Sequence, residues 1–184
     1  MHWRGKYMKT TQTQLFGSRF LLEEHTDLIV RDEERGYAIE LKYKKTEIDI
    51  INNGERFVLR PDLARDIGRY GFIKDVVRLE KFTSEFTRED KAFGGYAIML
   101  TNDRLYWDGV AGGNGAEFSL CEGRQINNGK NMKWHPRTAR GARARRSMPL
   151  NLSGNYKIHW EDYSKISDLE KGNQFRYLLL KINK

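Results

Sequence analysis

Thr26-Asp-Leu-Ile-Val-Arg-Asp-Glu-Glu-Arg-Gly-Tyr-Ala-Ile-Glu-Leu-Lys-Tyr-Lys44 is the most regular stretch of the chain. Leu28 and Val30 alternate with Asp27, Ile29 and Arg31. Tyr37, Ile39, Leu41 and Tyr43 alternate with Ala38, Glu40, Lys42 and Lys44. Successive side chains of a strand point to opposite faces, so this pattern predicts a β-hairpin with its turn near Gly36. The face of Tyr37, Ile39, Leu41 and Tyr43 is expected to meet the core, and the polar face to meet solvent or a site. Glu40 and Lys42, two apart, share that polar face. An odd-sum register of the pairing places Asp27 opposite Glu40 or Lys42 on the same face. Two carboxylates would then converge beside one ammonium. Hard divalent cations take such oxygen ligands together with a backbone carbonyl, for which Leu41 is the candidate. A cation held there can activate water and offset charge growing on phosphorus, with Lys42 alongside.

Outward from the hairpin, Asn52-Asn-Gly54 marks a turn between two short strand-like pieces within Glu47–Leu59. Pro61 is expected to open a long helix, with Asp62 and Asp66 in its first turn and an apolar stripe running to about Phe82. Gly95–Thr101 is short and almost continuously apolar, as a buried central strand is. Tyr106-Trp107 and Glu117–Leu120, either side of a glycine-rich run, suggest a loose hairpin. Asn155–Glu161 and Phe175–Ile182 suggest two further strands. Upstream, Lys6–Phe16 suggests a short helix and Arg19–Glu23 a short strand. The order predicts an α+β fold around a mixed β-sheet, in which an acid-bearing hairpin is followed by one long helix and additional C-terminal strands. No linker divides the chain. It reads as a single domain with a core over 19–101, a basic flexible loop over 123–150 and C-terminal strands over 151–184.

The formal net charge is +8 over 184 residues, and it is not spread evenly. Between Gly123 and Trp160 there is no Asp or Glu, against nine cations: Arg124, Lys130, Lys133, Arg137, Arg140, Arg143, Arg145, Arg146 and Lys157. The other 146 residues hold 24 basic and 25 acidic groups. A near-neutral body thus carries one cationic segment. Arginine grips phosphate in a bidentate manner and releases counterions on binding, so Lys130, Lys133, Arg137, Arg140, Arg143, Arg145 and Arg146 are candidate nucleic-acid contacts. Trp134 lies among them as a candidate for stacking on a base. A solvated loop with no partner is the alternative.

Other chemistry is poorly served. The glycine run lacks the Lys and Ser/Thr of a phosphate-binding P-loop. His135 and His159 lack partners at zinc spacing. The single cysteine, Cys121, has no nearby His and excludes an intrachain disulfide. No apolar run approaches the ~20 residues of a membrane span, and the N-terminus lacks a signal-peptide core, so no membrane partner and a cytoplasmic location are expected.

Asp27, twelve intervening residues and Glu40-Leu-Lys42 resemble the PD-(D/E)xK signature of restriction-endonuclease-like nucleases. The hairpin, long helix and buried strand follow in the order that resemblance implies. Thr26 stands where the signature has Pro, and the Gln-and-Tyr helix motif of RecB-like members is absent. The resemblance implies hydrolysis of DNA phosphodiester bonds with Mg²⁺ or Mn²⁺. It assigns Asp27 and Glu40 as catalytic metal ligands, with the Leu41 carbonyl and, more remotely, Glu23 added. Lys42 becomes the water-positioning or charge-stabilising residue. Cutting both strands of a duplex would call for two such sites, as a homodimer supplies. RNA is the other candidate polymer, and a catalytically silent nucleic-acid-binding protein on the same core is the alternative function.

Overall fold

The computed structural model describes residues 26–31, 35–86, 92–109, 113–166 and 171–182. The suggested helix at Lys6–Phe16 and strand at Arg19–Glu23, with the candidate ligand Glu23, lie outside them. The fold is α+β. Strands β1 (Leu28–Arg31) and β2 (Arg35–Lys44) form the antiparallel hairpin foreseen from the alternation. A second hairpin, β3 (Ile48–Asn52) and β4 (Glu55–Leu59), turns at Asn53 and Gly54. Both turn residues have positive φ, 51° and 80°, which the Asn-Gly pair tolerates and most residues do not.

Helix α1 runs from Arg65 to Phe86, beginning four residues after Pro61 rather than at it. Asp62 is drawn away from the helix: its Oδ2 accepts from the backbone N–H and the Nζ of Lys45, both at 3.1 Å. Ala64 takes φ 59°, a left-handed value that blocks the helix from extending backward. α1 then leads into β5 (Ala92–Thr101), which pairs parallel with β2 and antiparallel with β11 (Gln174–Ile182). With β10 (Trp160–Lys165) on the far edge, the five-stranded sheet has the order β1-β2-β5-β11-β10. The near-continuous apolar run of β5 is explained by this central place.

The crossover from β2 to β5 carries α1 over one sheet face. Phe72, Ile73, Val76 and Leu79 of the helix are buried against Ala38, Ala97, Met99, Leu178, Leu180 and Ile182. Small residues bring the two layers together: a Cβ on Gly95 would stand 3.3 Å from both Ile182 Cβ and Thr83 Cγ2. The face so covered is the polar face of β2. Ala38 and Glu40 are buried there, while Leu41 and Tyr43 on the apolar face are 54% and 46% exposed. The expectation that the apolar face meets the core is therefore reversed. The helix brings its own counter-charges for Glu40 and Lys42, which allows the polar face to be the inner one.

Between β5 and β10 the chain builds a smaller lobe. Arg104–Tyr106 and Gly113–Phe118 form 3₁₀ turns, not the loose hairpin expected, because Asp103 caps the first by accepting from Leu105 N–H. Short ladders pair β6 (Gln125–Ile126) with β9 (Tyr156–Lys157) and β7 (Asn131–Met132) with β8 (Leu150–Asn151). Between β7 and β8, α2 (Arg140–Arg143) is a single turn. Trp107, Phe118, Leu120, Met132, Ile158 and Trp160 continue the core of the sheet into this lobe. The Trp160 indole N–H donates to Leu120 O at 2.7 Å, which satisfies a buried donor. No helix among the described residues is long and apolar enough to cross a membrane.

Candidate active site

Register decides which residues meet. Leu28 pairs with Ile39 and Ile29 with Ala38, a register that would set Asp27 against Glu40 if it continued, although β1 begins at Leu28 and Asp27 lies in a bend before it. The sum is odd, as convergence on one face requires. Asp27 bends back on the hairpin, its Oδ2 accepting from Leu41 N–H at 2.8 Å. Glu40 and Lys42 both point beneath α1.

The helix supplies two residues, Asp75 and Arg78, that interrupt its apolar stripe and were not among the candidates. Arg78 Nε donates to Glu40 Oε1 at 2.9 Å, and Arg78 Nη2 pairs with Glu40 Oε2. Arg78 Nη2 also lies 3.2 Å from Asp75 Oδ1, and the other Asp75 oxygen is 2.8 Å from Lys42 Nζ. Glu40, Arg78, Asp75 and Lys42 thus alternate in sign along one chain of contacts. Gly71 lies beside it, where a Cβ would be in ordinary contact with Lys42 Nζ at 3.5 Å. Asp75 and Arg78 stand at i and i+3 on one helical face between Val76, Val77 and Leu79, and that polar interruption of the stripe was the available signal.

Glu40 is only 3% exposed. Burial pushes its carboxyl up from 4.5 to about 7. The Arg78 bond and charge pull the other way, while the charges of Asp75 and Asp27 add to the rise. A carboxyl poised near neutrality in a cluster of coupled charges is a feature that functional sites share.

The cationic segment is divided by the fold. Arg145 and Arg146 reach a cavity of about 380 Å³ that Lys42 also lines. Lys133, Arg137 and Arg140 are exposed elsewhere on the surface, Arg143 is half-buried, and Lys130 pairs with Glu117 at 3.5 Å. Trp134 is corrected outright as a base-stacking residue. It is 6% exposed, stacked on Tyr70 at 5.4 Å and edge-on to Phe118 at 4.8 Å, so its faces are already used in the core. Of the two histidines set aside, His159 pairs with Glu122 at 2.9 Å.

Asp27, Glu40 and Asp75 carry the kind of oxygen donor that a hard divalent cation takes. As the side chains stand, both Glu40 oxygens accept from Arg78 and one Asp27 oxygen accepts from a backbone N–H. Among the described residues, no three His, Cys, Asp or Glu side chains are grouped so as to hold an ion. The donors therefore fit in kind, but both Glu40 oxygens are engaged by Arg78, so Glu40 could reach an ion only if Arg78 gave up at least one of them. Compared with known proteins, the chain matches no protein-family model, no curated protein and no solved structure.

Proposed function

We propose that this chain is a divalent-metal-dependent endonuclease that hydrolyses phosphodiester bonds of DNA. The observation that carries the reading is that Glu40 and Lys42 share one face of β2 beneath α1, with Lys42 held by Asp75 at 2.8 Å and the charge of Asp27 close enough to act on Glu40. Asp27 and Glu40 would hold the ion, which when bound supplies Lewis-acid stabilisation and a more acidic water. Lys42 keeps its ammonium fixed through Asp75, so it can donate to the attacking water or to a phosphoryl oxygen without reorganising. α1 covers Glu40 and excludes bulk water from it, which strengthens every charge interaction there.

Supercoiled plasmid incubated with Mg²⁺, Mn²⁺ or EDTA tests this. The wild type is expected to nick or linearise it with metal alone, and Asp27→Asn is expected to lose the activity. Cleavage that survives EDTA, or that Asp27→Asn retains, overturns the proposal.

The engagement of both Glu40 oxygens by Arg78 favours a second reading, a nucleic-acid-binding protein without catalysis. Calorimetric titration with Mn²⁺ separates the two. Arg78→Gln removes a like charge from beside the ion, so at about pH 8.5, above the Glu40 titration, it should bind Mn²⁺ about tenfold more tightly than wild type. A silent core would bind Mn²⁺ in neither protein.

A further inference from the structure

The cavity beside Lys42 gathers Lys42 and Lys44 from β2, Lys74 from α1, and Arg145 and Arg146 from the segment after α2. No Asp or Glu lines it. Lys42 has its partner in Asp75 and Lys44 feels the charge of Asp62, whereas Lys74 and Arg145 make no ion pair among the described residues. Assembling such charge from three separate elements opposes folding by self-repulsion, and a bound anion relieves it. The backbone adds to the impression of a built site. Ala64 and Arg145, both at φ 59°, are two of the three non-glycine residues with positive φ among those described, and both line this cavity. Leu63, Ile67 and Tyr70 give part of its wall an apolar character.

We infer that this cavity is a pocket for a second phosphate group of the nucleic-acid strand, adjacent to the phosphate that reacts. The inference rests on the endonuclease reading for the identity of the strand. Its geometry rests on β2: Lys44 follows Lys42 on the same face, roughly 7 Å further along at the rise of an extended chain. Lys42 therefore stands between the carboxylates and the pocket, and Lys44, Lys74, Arg145 and Arg146 take the neighbouring phosphate. Arginine offers paired donors to a phosphate and lysine a compact charge. This gives the basic segment a defined role in two of its residues and assigns two lysines, Lys44 and Lys74, that lie outside it.

Binding measured in EDTA tests the pocket apart from catalysis. Fluorescence anisotropy of a labelled DNA oligonucleotide across a salt series should show the double variant Lys44→Gln/Lys74→Gln binding about tenfold or more weakly. Its slope of log affinity against log salt should be shallower by about one, as loss of one phosphate contact requires. The double variant Lys44→Arg/Lys74→Arg should keep the slope, and so should Lys181→Gln, whose side chain is exposed on β11. An unchanged slope in the glutamine variant, with circular dichroism showing a native fold, overturns the inference. Pyrophosphate, titrated by calorimetry, is the second arm. If it binds wild type and not the glutamine variant while DNA affinity and slope are unchanged, the pocket serves a free phosphate compound and the strand assignment fails. An unchanged slope alongside metal-dependent cleavage would sink the pocket alone, whereas a reduced slope without cleavage would sink the endonuclease reading alone.

Discussion

A Glu40→Gln protein is expected to cleave DNA at no more than about 1% of the wild-type rate. The amide keeps the size of the side chain and an oxygen for Arg78, so the loss would come from charge and not from collapse of the site. The same substitution should alter the pH dependence of stability, and the sign can be worked out. Folded Glu40 titrates at about 7 against 4.5 for the ordinary group, so the folded state holds the proton more tightly. Its contribution to stability is full below about pH 4.5 and is lost as pH rises through about 7, where the buried ionised form becomes a net cost. The size of this contribution is on the order of 3 kcal/mol. Chemical denaturation at several pH values should show wild-type stability declining from this source between those limits and Glu40→Gln lacking that component. The same proton competes with a cation for Glu40, so cleavage by wild type should rise with pH through about 7. A variant that cleaves normally, or a wild-type rate that falls across that range, would remove Glu40 from the chemistry.

The largest effect on stability is expected away from the site, at Glu80. Its carboxylate is buried on α1 and accepts from Ser153 N–H at 2.8 Å, Gly154 N–H at 2.7 Å and the Tyr156 hydroxyl at 2.8 Å. Through these bonds the helix that covers the sheet also fastens the turn that leads into β9. Glu80→Ala would leave two backbone donors and a buried hydroxyl without partners. Charge-assisted bonds of this kind and the cost of orphaned donors give about 3–5 kcal/mol of destabilisation. For a chain of this length that lowers the melting temperature by roughly 6–20 °C. A fall of only a degree or two in calorimetry would mean that the smaller lobe is held to α1 by its apolar contacts alone. Because Arg145 and Arg146 belong to that lobe, a loosened lobe should also weaken DNA binding.

Much of the architecture was legible because it is local. Alternation in Thr26–Lys44 specified a hairpin, Asn52-Asn-Gly54 specified a turn, and the unbroken apolar run ending at Thr101 specified a strand covered on both edges. The missed features depend on capture by distant residues. Asp62 left the helix for Lys45, and Asp103 capped a 3₁₀ turn where a strand was expected. Trp134, placed by composition among arginines, was taken into an aromatic cluster with Tyr70 and Phe118. Sequence neighbourhood says which residues travel together, but burial is decided by what packs against them.

For the site, the sequence by itself determined that Glu40 and Lys42 share a face and that Asp27 joins them under one parity of register. Those statements follow from the two-residue period of a strand and need no other element. Only the tertiary structure decided that the register of β1 on β2 has the favourable parity, with Asp27 bonded to Leu41 N–H next to Glu40, and that α1 covers the polar face. Asp75 and Arg78 become partners of Lys42 and Glu40 because the crossover to parallel β5 lays α1 along β2, a contact across more than thirty residues. The same placement sets Lys74 beside Lys44 and draws Arg145 and Arg146 to their cavity. Periodicity fixes direction within one element, whereas the charges that a residue meets, and so its protonation and its chemistry, are fixed by which elements lie against it.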